Sequence, residues 1–317
     1  MFVRLYTALL QDKEELLAAF DASNTAYRLS KLAELSPKLK FADMNELICT
    51  MDAEKAALFR SFSQNLDALS GAAVSLEEVQ LLAPVVHPRQ DIICLGINYA
   101  AHAIEAGHFS HTAFGGERPY TIYFSKRVNR ATASGEAIPS YKGLVDSLDY
   151  EAELGVILGK DAKCVSEEDA LDYVFGYTII NDVSARNLQT RHKQWYLGKS
   201  LDGFTPMGPC IVTADEIEDV QNLDISCHVN GELRQSSNTK LMIQTVASAI
   251  AELSQGITLQ AGTIIATGTP AGVGMGMKPP TFLKKGDEIV CEISGIGKLV
   301  NIVESVSYTH LRAHETR

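Results

Sequence analysis

The 317-residue chain holds no apolar run near the ~18–20 residues that cross a bilayer, which excludes a membrane-spanning helix. Met1 to Phe20 carries no basic leader, continuous apolar stretch or small-residue cleavage site, so the expectation is a mature, cytoplasmic protein. The six cysteines (Cys49, Cys94, Cys164, Cys210, Cys227, Cys291) include no Cys-x-x-Cys pair and lie scattered in apolar runs. That pattern points to free, mostly buried thiols in a reducing compartment. No G-x-S-x-G elbow and no His-Glu-x-x-His motif occurs, which speaks against the usual serine hydrolases and zinc proteases. Positive charge is also short: 28 Lys+Arg against 39 Asp+Glu give −11, a balance that repels phosphate backbones and argues against a nucleic-acid partner. Two glycine signals fail on inspection. Gly198-Lys199-Ser200 resembles the end of a P-loop, but Lys193 stands where the loop needs its first Gly. Gly272-Val273-Gly274-Met275-Gly276 leads into Pro279-Pro280 rather than into a helix that could hold a pyrophosphate.

With 46% hydrophobic and 21% charged residues the composition is that of a globular protein. Gly is absent before Gly71, and Lys13 to Ala22 and Lys55 to Leu69 carry apolar residues at helical spacing. These predict a small, helix-containing N-terminal domain over 1–83. From Pro84 the texture changes to short β-branched and aromatic runs between Gly, Pro and Asn/Asp turns: Ile92–Ile97, Tyr120–Phe124, Leu154–Leu158, Tyr177–Ile180, Ile225–Val229, Thr263–Thr267 and Ile289–Ile293. Asn230-Gly231 predicts a two-residue hairpin turn, and Met242–Leu253 a helix ended near Gly256. The fold class expected is α+β and rich in strands, with a catalytic domain over 84–304. Residues 305–317 break the pattern and read as a tail outside the fold, disordered or foreign.

Chemistry concentrates in three places. In Asp149-Tyr150-Glu151-Ala152-Glu153-Leu154 the apolar end reads as a buried strand. Residues two apart then share a face, so Glu151 and Glu153 sit ~6–7 Å apart at the backbone and repel unless a positive group holds them or water solvates them. The run Tyr177–Ile180 ends in Asn181-Asp182, and if it pairs alongside, Asp182 becomes a third carboxylate. Three hard oxygen donors suit Mg²⁺, Mn²⁺ or Ca²⁺; a solvated strand edge is the alternative. His102 and Glu105, three apart after the strand end at Gly96, share a helix face and read either as an oriented general base or as a surface pair. Arg186 and Gln189 are also three apart, and Lys199 follows ten residues later; these offer carboxylate and oxyanion binding, or simply a solvated basic helix beside Arg191, His192 and Lys193.

Taken together, Gly96–His102, Tyr120–Lys126, Asp149–Leu154, Gly176–Gln189, Gly198–Pro209, Asn230–Met242, Gly262–Gly274 and Leu283–Asn301 resemble, in order, the fumarylacetoacetate hydrolase family. The resemblance spans about residues 84 to 304. It implies a mixed β-sandwich or β-roll of the fumarylacetoacetase C-terminal type behind a small N-terminal domain, assembled as a homodimer. It makes Glu151, Glu153 and Asp182 the metal ligands, for Mg²⁺, Mn²⁺ or Ca²⁺. His102 and Glu105 match the dyad of the acylpyruvate hydrolase branch, and Lys199 the catalytic lysine. Lys126, Arg186, Gln189 and the turn Thr267-Gly268-Thr269 match substrate-lining positions. Gly107–Pro119, with His108, His111, Gly115 and Gly116, falls where the family places a lid. The aspartate that serves long eukaryotic members as a fourth ligand has no match here, so the three-carboxylate branch fits.

The activity the resemblance implies is hydrolysis of a C–C bond in an acylpyruvate-type 2,4-dioxo acid. Metal chelates the 2-oxo acid and stabilises the enolate, His102 held by Glu105 activates water, and Lys199 stabilises the oxyanion. Isomerisation of hydroxymuconate-type dienes and decarboxylation of oxaloacetate-type acids run through the same enolate and form the alternative. A non-catalytic, metal-stabilised binding domain is the third reading; the His102–Glu105 pair beside Lys199 argues against it.

Overall fold

The computed structural model describes residues 3–21, 23–114 and 120–305; the tail beyond 305 and Gly115 to Pro119 lie outside the described residues. The first stretch of chain forms strands β1 (Arg4–Leu10), β2 (Lys13–Ala19) and β3 (Thr25–Arg28), then helices α1 (Leu29–Leu35), α2 (Met44–Thr50) and α3 (Ala53–Ser63), then β4 (Ala73–Ser75) and β5 (Gln80–Leu81). Next come β6 (Ile92–Gly96), α4 (Ala100–Phe109), α5 (His111–Phe114), β7 (Ile122–Lys126), β8 (Ala137–Pro139), β9 (Leu148–Asp149), β10 (Ala152–Leu158), β11 (Val174–Asn181) and β12 (Ser184–Ala185). The chain continues through α6 (Arg186–Arg191), α7 (Tyr196–Lys199), β13 (Met207–Thr213), β14 (Asp224–Val229), β15 (Glu232–Asn238), α8 (Val246–Gly256), β16 (Ile264–Ala266), β17 (Glu288–Ile293) and β18 (Gly297–Glu304).

The strands make an eleven-stranded sheet in the order β4-β3-β2-β1-β13-β11-β10-β16-β6-β7, with β5 on β1, and a five-stranded sheet in the order β15-β14-β17-β18-β8. All pairings are antiparallel except β16 on β6 and β18 on β8. The result is the strand-rich α+β architecture expected. Between the sheets lies a core of Leu154, Val156, Tyr177, Ile179, Ile225, Cys227, Ile289 and Cys291. The opposite face of the large sheet buries Ile157, Ile180, Ile211 and Ile264 with Leu32, Leu47, Ile48 and Phe59 of α1–α3. Residues one apart on β10 and β11 thus feed two cores, which is why both strands are buried along their whole length.

Two features of the first 83 residues differ from the sequence expectation. Lys13–Ala19 is a strand, not a helix. Leu17 and Ala19 enter one core while Leu16, Ala18 and Phe20 enter the other, so two-sided burial overrides helical spacing. Gln11 and Asp12 at φ +51° and +60° form the tight turn that joins it to β1. Moreover β1 pairs with β13, Arg4 opposite Val212, so these strands extend the large sheet rather than building one of their own. Of the helix expected at Lys55–Leu69 only the first part is α-helical: α3 ends at Ser63, a separate 3-10 turn runs over Leu66–Ala72, and Asp52 caps α3 by accepting from the Lys55 N–H. The Met242–Leu253 helix starts later, at Val246, where Thr245 caps it. All six cysteines are free; four are buried, and Cys227 and Cys291 lie 4.0 Å apart at sulfur on neighbouring strands. No helix among the described residues is long and apolar enough to cross a membrane.

Candidate active site

The β10–β11 register pairs Ala152 with Asn181 and Glu153 with Ile180. The next pair outward is held by the Asp182 N–H donating to the Glu151 carbonyl at 2.8 Å, which carries Asp182 to the two glutamates. Carboxylate oxygens of Glu151, Glu153 and Asp182 then lie within 4.8 Å of one another, at 5%, 2% and 0% exposure. The solvated-edge alternative is excluded by that burial.

Three cations answer them. The Lys199 ammonium, at the end of α7, donates to Glu151 Oε2 and Asp182 Oδ2, both at 2.6 Å. Arg186, opening α6, meets Glu151 Oε1 at 2.7 Å through Nη1 and Asp149 Oδ2 at 2.9 Å through Nε. Lys126, ending β7, donates to Asp182 Oδ1 at 2.7 Å, to the Val183 carbonyl and to the Lys199 carbonyl. Four buried carboxylates therefore face three cations, and the acid left over is Glu153. Its hydrogen bond comes from the Gly268 N–H at 2.9 Å, and no cation among the described residues is within ion-pair distance of it. Burial first, then repulsion by Asp182 and Glu151, pushes the Glu153 carboxyl well above the ordinary range. Burial would raise Glu151 too, but Lys199, Arg186 and His102 hold it well below that range. Burial would strip the proton from Lys199, yet Asp182 and Glu151 hold it as an ammonium. A buried acid without a counter-charge, in a set of three hard oxygen donors, fits a divalent cation.

The dyad stands on α4. His102 Nδ1 lies 3.1 Å from Glu105 Oε2, both side chains are largely buried, and Glu105 accepts from the Gly272 N–H at 3.0 Å. This is an oriented imidazole, not a surface pair. The glycine run dismissed as a nucleotide loop thus binds the chain's own carboxylates: Gly274 and Met275 N–H groups donate to Asp149 at 2.7 and 3.0 Å. Gly268 has φ +89°, and a Cβ there would sit 2.7 Å from Asn98 Cβ, so glycine alone lets the 267–269 turn aim an N–H at Glu153.

A pocket gathers His102, Glu151, Glu153, Arg186, Gln189, Lys199 and Thr269 with Phe114, Phe124 and Trp195. Two expected lining groups turn elsewhere. Lys126 is fully buried behind Asp182 with its donors engaged, and the Thr267 hydroxyl donates to the Leu154 carbonyl at 2.9 Å. Thr269 does reach the pocket, its hydroxyl anchored on the Ala152 carbonyl. Arg186 and Gln189 are joined at 3.0 Å, and Arg186 Nη2 is buried with no partner. Arg191, His192 and Lys193 are exposed, so the basic-helix alternative holds only for the far end of α6. Of the expected lid, α4 and α5 are described: Ala106 and Phe114 pack on Val273 and Met275, while His108 and His111 are exposed. Among the described residues no fourth acid joins the cluster.

Sequence reasoning left Asp149 without a role. It is two residues before Glu151, so the same alternation pointed to it. Trp195, Phe114 and Met275 had no local signal, because only the tertiary fold brings them to the pocket.

Comparison with known proteins agrees with this geometry. The pattern described as fumarylacetoacetate (FAA) hydrolase C-terminal matches residues 91–304. The chain is 40% identical over 304 residues to the oxaloacetate tautomerase YisK of Bacillus subtilis (strain 168), covering 95% of this chain and 97% of that one. Among solved structures it is similar to a fumarylacetoacetate hydrolase of psychrophilic Exiguobacterium antarcticum, at TM-score 0.78 and 37% identity over 96% of this chain and 100% of the other. It also resembles a maleylpyruvate hydrolase of Sphingobium sp. SYK-6, at TM-score 0.72 and 29% identity over 96% and 100%. The chain belongs to the fumarylacetoacetate hydrolase family of enzymes.

Proposed function

We propose that the protein is a divalent-metal-dependent enzyme that moves a proton beside the keto group of a short 2-oxo dicarboxylic acid, interconverting the keto and enol forms of an oxaloacetate-type substrate. The observation that carries this reading is the pairing of an uncompensated acid, Glu153, with an uncompensated donor, Arg186 Nη2, in one buried pocket. Glu151, Glu153 and Asp182 would hold Mg²⁺ or Mn²⁺ (Ca²⁺ also meets the donor set), and such an ion supplies Lewis-acid polarisation of a substrate carbonyl. With a divalent ion added, four carboxylates and three cations leave one positive charge in excess, which favours an anionic substrate.

The chain's own groups then divide the work. Arg186 Nη2 donates to the distal carboxylate, with Gln189 beside it. Glu105 fixes His102 through Nδ1 and leaves Nε2 to take the proton from C3. The Lys199 ammonium would hydrogen-bond the oxygen that gains negative charge, and His102 would pass the proton taken from C3 on to that oxygen, so one C–H bond breaks, one O–H bond forms and both side chains return to their starting protonation. The 40% identity to an oxaloacetate tautomerase over nearly the whole of both chains supports this choice.

The second reading, hydrolysis of an acylpyruvate, is favoured by the same dyad, since His102 held by Glu105 also suits removal of a proton from water. Loss of CO₂ from an oxaloacetate-type acid is a third outcome open to the site. The functional assembly proposed is a homodimer, and no nucleic acid is a partner. The test is to add the protein to oxaloacetate with Mg²⁺ or with a chelator, following the enol absorbance, and to run acylpyruvates in ¹⁸O-water. Metal-dependent enol–keto exchange without label in any released acid is the result expected. Labelled carboxylic acid from an acylpyruvate, with no exchange of oxaloacetate, would establish the hydrolase instead.

A further inference from the structure

Glu151 and Glu153 flank Ala152, and two side chains from distant parts of the chain hold the Ala152 backbone. β16 pairs with β10 from Gly155 to Ile157, so nearer the site that edge of β10 has no strand beside it among the described residues. The buried N–H and C=O of Ala152 must still find partners. The Ala152 N–H donates to Gln235 Oε1 at 3.0 Å, Gln235 Nε2 donates to Thr269 Oγ1 at 2.7 Å, and the Thr269 hydroxyl donates to the Ala152 carbonyl at 2.9 Å. These three bonds close a ring. Gln235 Nε2 also donates to the Pro270 carbonyl at 2.8 Å, and the whole residue is buried.

The backbone is shaped to aim Gln235 here. It lies on β15, the edge strand of the second sheet, whose pairing with β14 slips at this point: Cys227 faces Gln235 and His228 faces Leu233, which leaves Arg234 unopposed. A bulge of this kind redirects the side chains next to it. Gly272, at φ +106°, lies against the bulge, where a Cβ would come within 1.9 Å of the Arg234 carbonyl oxygen. Thr269 in turn follows Gly268, whose N–H donates to Glu153. The ring thus ties the backbone between the two glutamates to the turn that bonds one of them. Gln235 stands behind the pocket rather than in its lining. We propose that Gln235 is a positioning residue: through the ring it fixes the separation of Glu151 and Glu153 before an ion arrives, and so sets the affinity of the acid cluster for a divalent cation. This rests on the divalent-cation reading of the three acids above.

The experiment measures ion binding, not turnover. Mn²⁺ is titrated calorimetrically, without substrate, into the chelator-stripped full chain and its variants, and the urea midpoint of each is measured in chelator. Gln235→Met keeps the length of the side chain and removes its hydrogen bonds. Thr269→Val breaks the same ring at its hydroxyl, and Thr269→Ser keeps it. Asn301, as deeply buried on β18 and bonded to the Ala133 and Glu136 carbonyls, supplies the control Asn301→Leu. Gln235→Met and Thr269→Val are each expected to weaken Mn²⁺ binding about tenfold or more, the scale of losing a partner that orients metal ligands. Either change opens the ring, so the double variant should fall no more than about threefold below the poorer single one. Thr269→Ser and Asn301→Leu should bind within about threefold of wild type, although Asn301→Leu unfolds at lower urea. Wild-type affinity in Gln235→Met or in Thr269→Val, full additivity in the double variant, or a tenfold loss in Thr269→Ser or Asn301→Leu would each overturn the proposal and leave the cation reading standing. Should Gln235→Met not fold, the two Thr269 variants decide in the same way. Wild type that binds no Mn²⁺ defeats the cation reading, and the positioning role with it.

Discussion

The Asp149 carboxylate and the Arg186 guanidinium are buried partners, joined at 2.9 Å between Oδ2 and Nε. Asp149 takes three further N–H donors, from Tyr150 at 3.0 Å, Gly274 at 2.7 Å and Met275 at 3.0 Å. Every lone pair of use is spent, so Asp149 itself has none left for substrate. Its effect is to turn Arg186 so that Nη1 meets Glu151 and Gln189 while Nη2 stays open. Removing one partner of a buried pair costs roughly 3–5 kcal/mol. Asp149→Asn is therefore expected to lower stability by about that amount in urea denaturation. It should also raise the substrate KM more than it lowers kcat, since Arg186 loses its orientation. An Asp149→Asn protein within about 1 kcal/mol of wild type would show that the pair holds nothing.

Glu153 gives the prediction for metal. Burial and the neighbouring Asp182 and Glu151 keep its proton on well above the ordinary carboxylate range. A divalent ion must displace that proton, so binding releases protons and weakens as pH falls. Calorimetric titration with Mn²⁺ in two buffers of different ionisation enthalpy should show the release. Glu153→Gln keeps the neutral side chain of the metal-free state but cannot give up a proton to an ion. The variant should melt no lower than the chelated wild type and should lose the upward melting shift that Mn²⁺ produces. If Glu153→Gln keeps the full shift, the ion does not bind at these three acids.

His102 and Glu105 separate binding from chemistry. Neither belongs to the acid cluster, so His102→Asn and Glu105→Gln should retain the Mn²⁺-induced melting shift. A positioned general base contributes about 10²–10⁴ in rate, and His102→Asn should lose a factor in that range. Glu105→Gln should lose less, because Gln can still accept from the Gly272 N–H and leaves His102 in place. Near-normal turnover by His102→Asn rules this residue out as the base.

The site was legible to the extent that it follows the two-residue period of a strand. Glu151 and Glu153 share a face by that rule, and Asp182 joins them because it directly follows Asn181, the last residue of β11 and its last position paired with β10. Lys126 shows where the rule stops. Its position in the chain suits a substrate contact, but whether an ammonium at the end of β7 turns toward the pocket or behind Asp182 depends on the Val183 and Lys199 carbonyls, which only the fold brings near. The β2 strand was hidden for a related reason. Leu16-Leu17-Ala18-Ala19-Phe20 is equally compatible with a helix, and burial on both faces of a sheet decides the matter. The bonds of the glycine run at 272–276 to Asp149 and Glu105 carry no local signature.

Away from the site, Glu216 makes the stability of the fold depend on pH. It follows β13, with Thr213 Oγ1 3.4 Å from Oε1. Burial raises its carboxyl to about 7, against a lowering by Arg4 and a smaller raising by Asp215. An unfolded glutamate titrates near 4.5, so below that pH both states carry the proton and the contribution to stability is complete. Between about 4.5 and 7 the folded state binds more protons than the unfolded one, and stability falls as pH rises through that window. Above it the loss is constant. Glu216→Gln removes this dependence and should stabilise the protein at pH 8 by about 1 kcal/mol, a figure reduced for the half of the side chain that water screens. At pH 4 the variant and wild type should unfold at the same urea concentration. A Glu216→Gln protein that gains stability equally at both pH values would mean that the effect is one of packing, and that the Glu216 proton has no part in it.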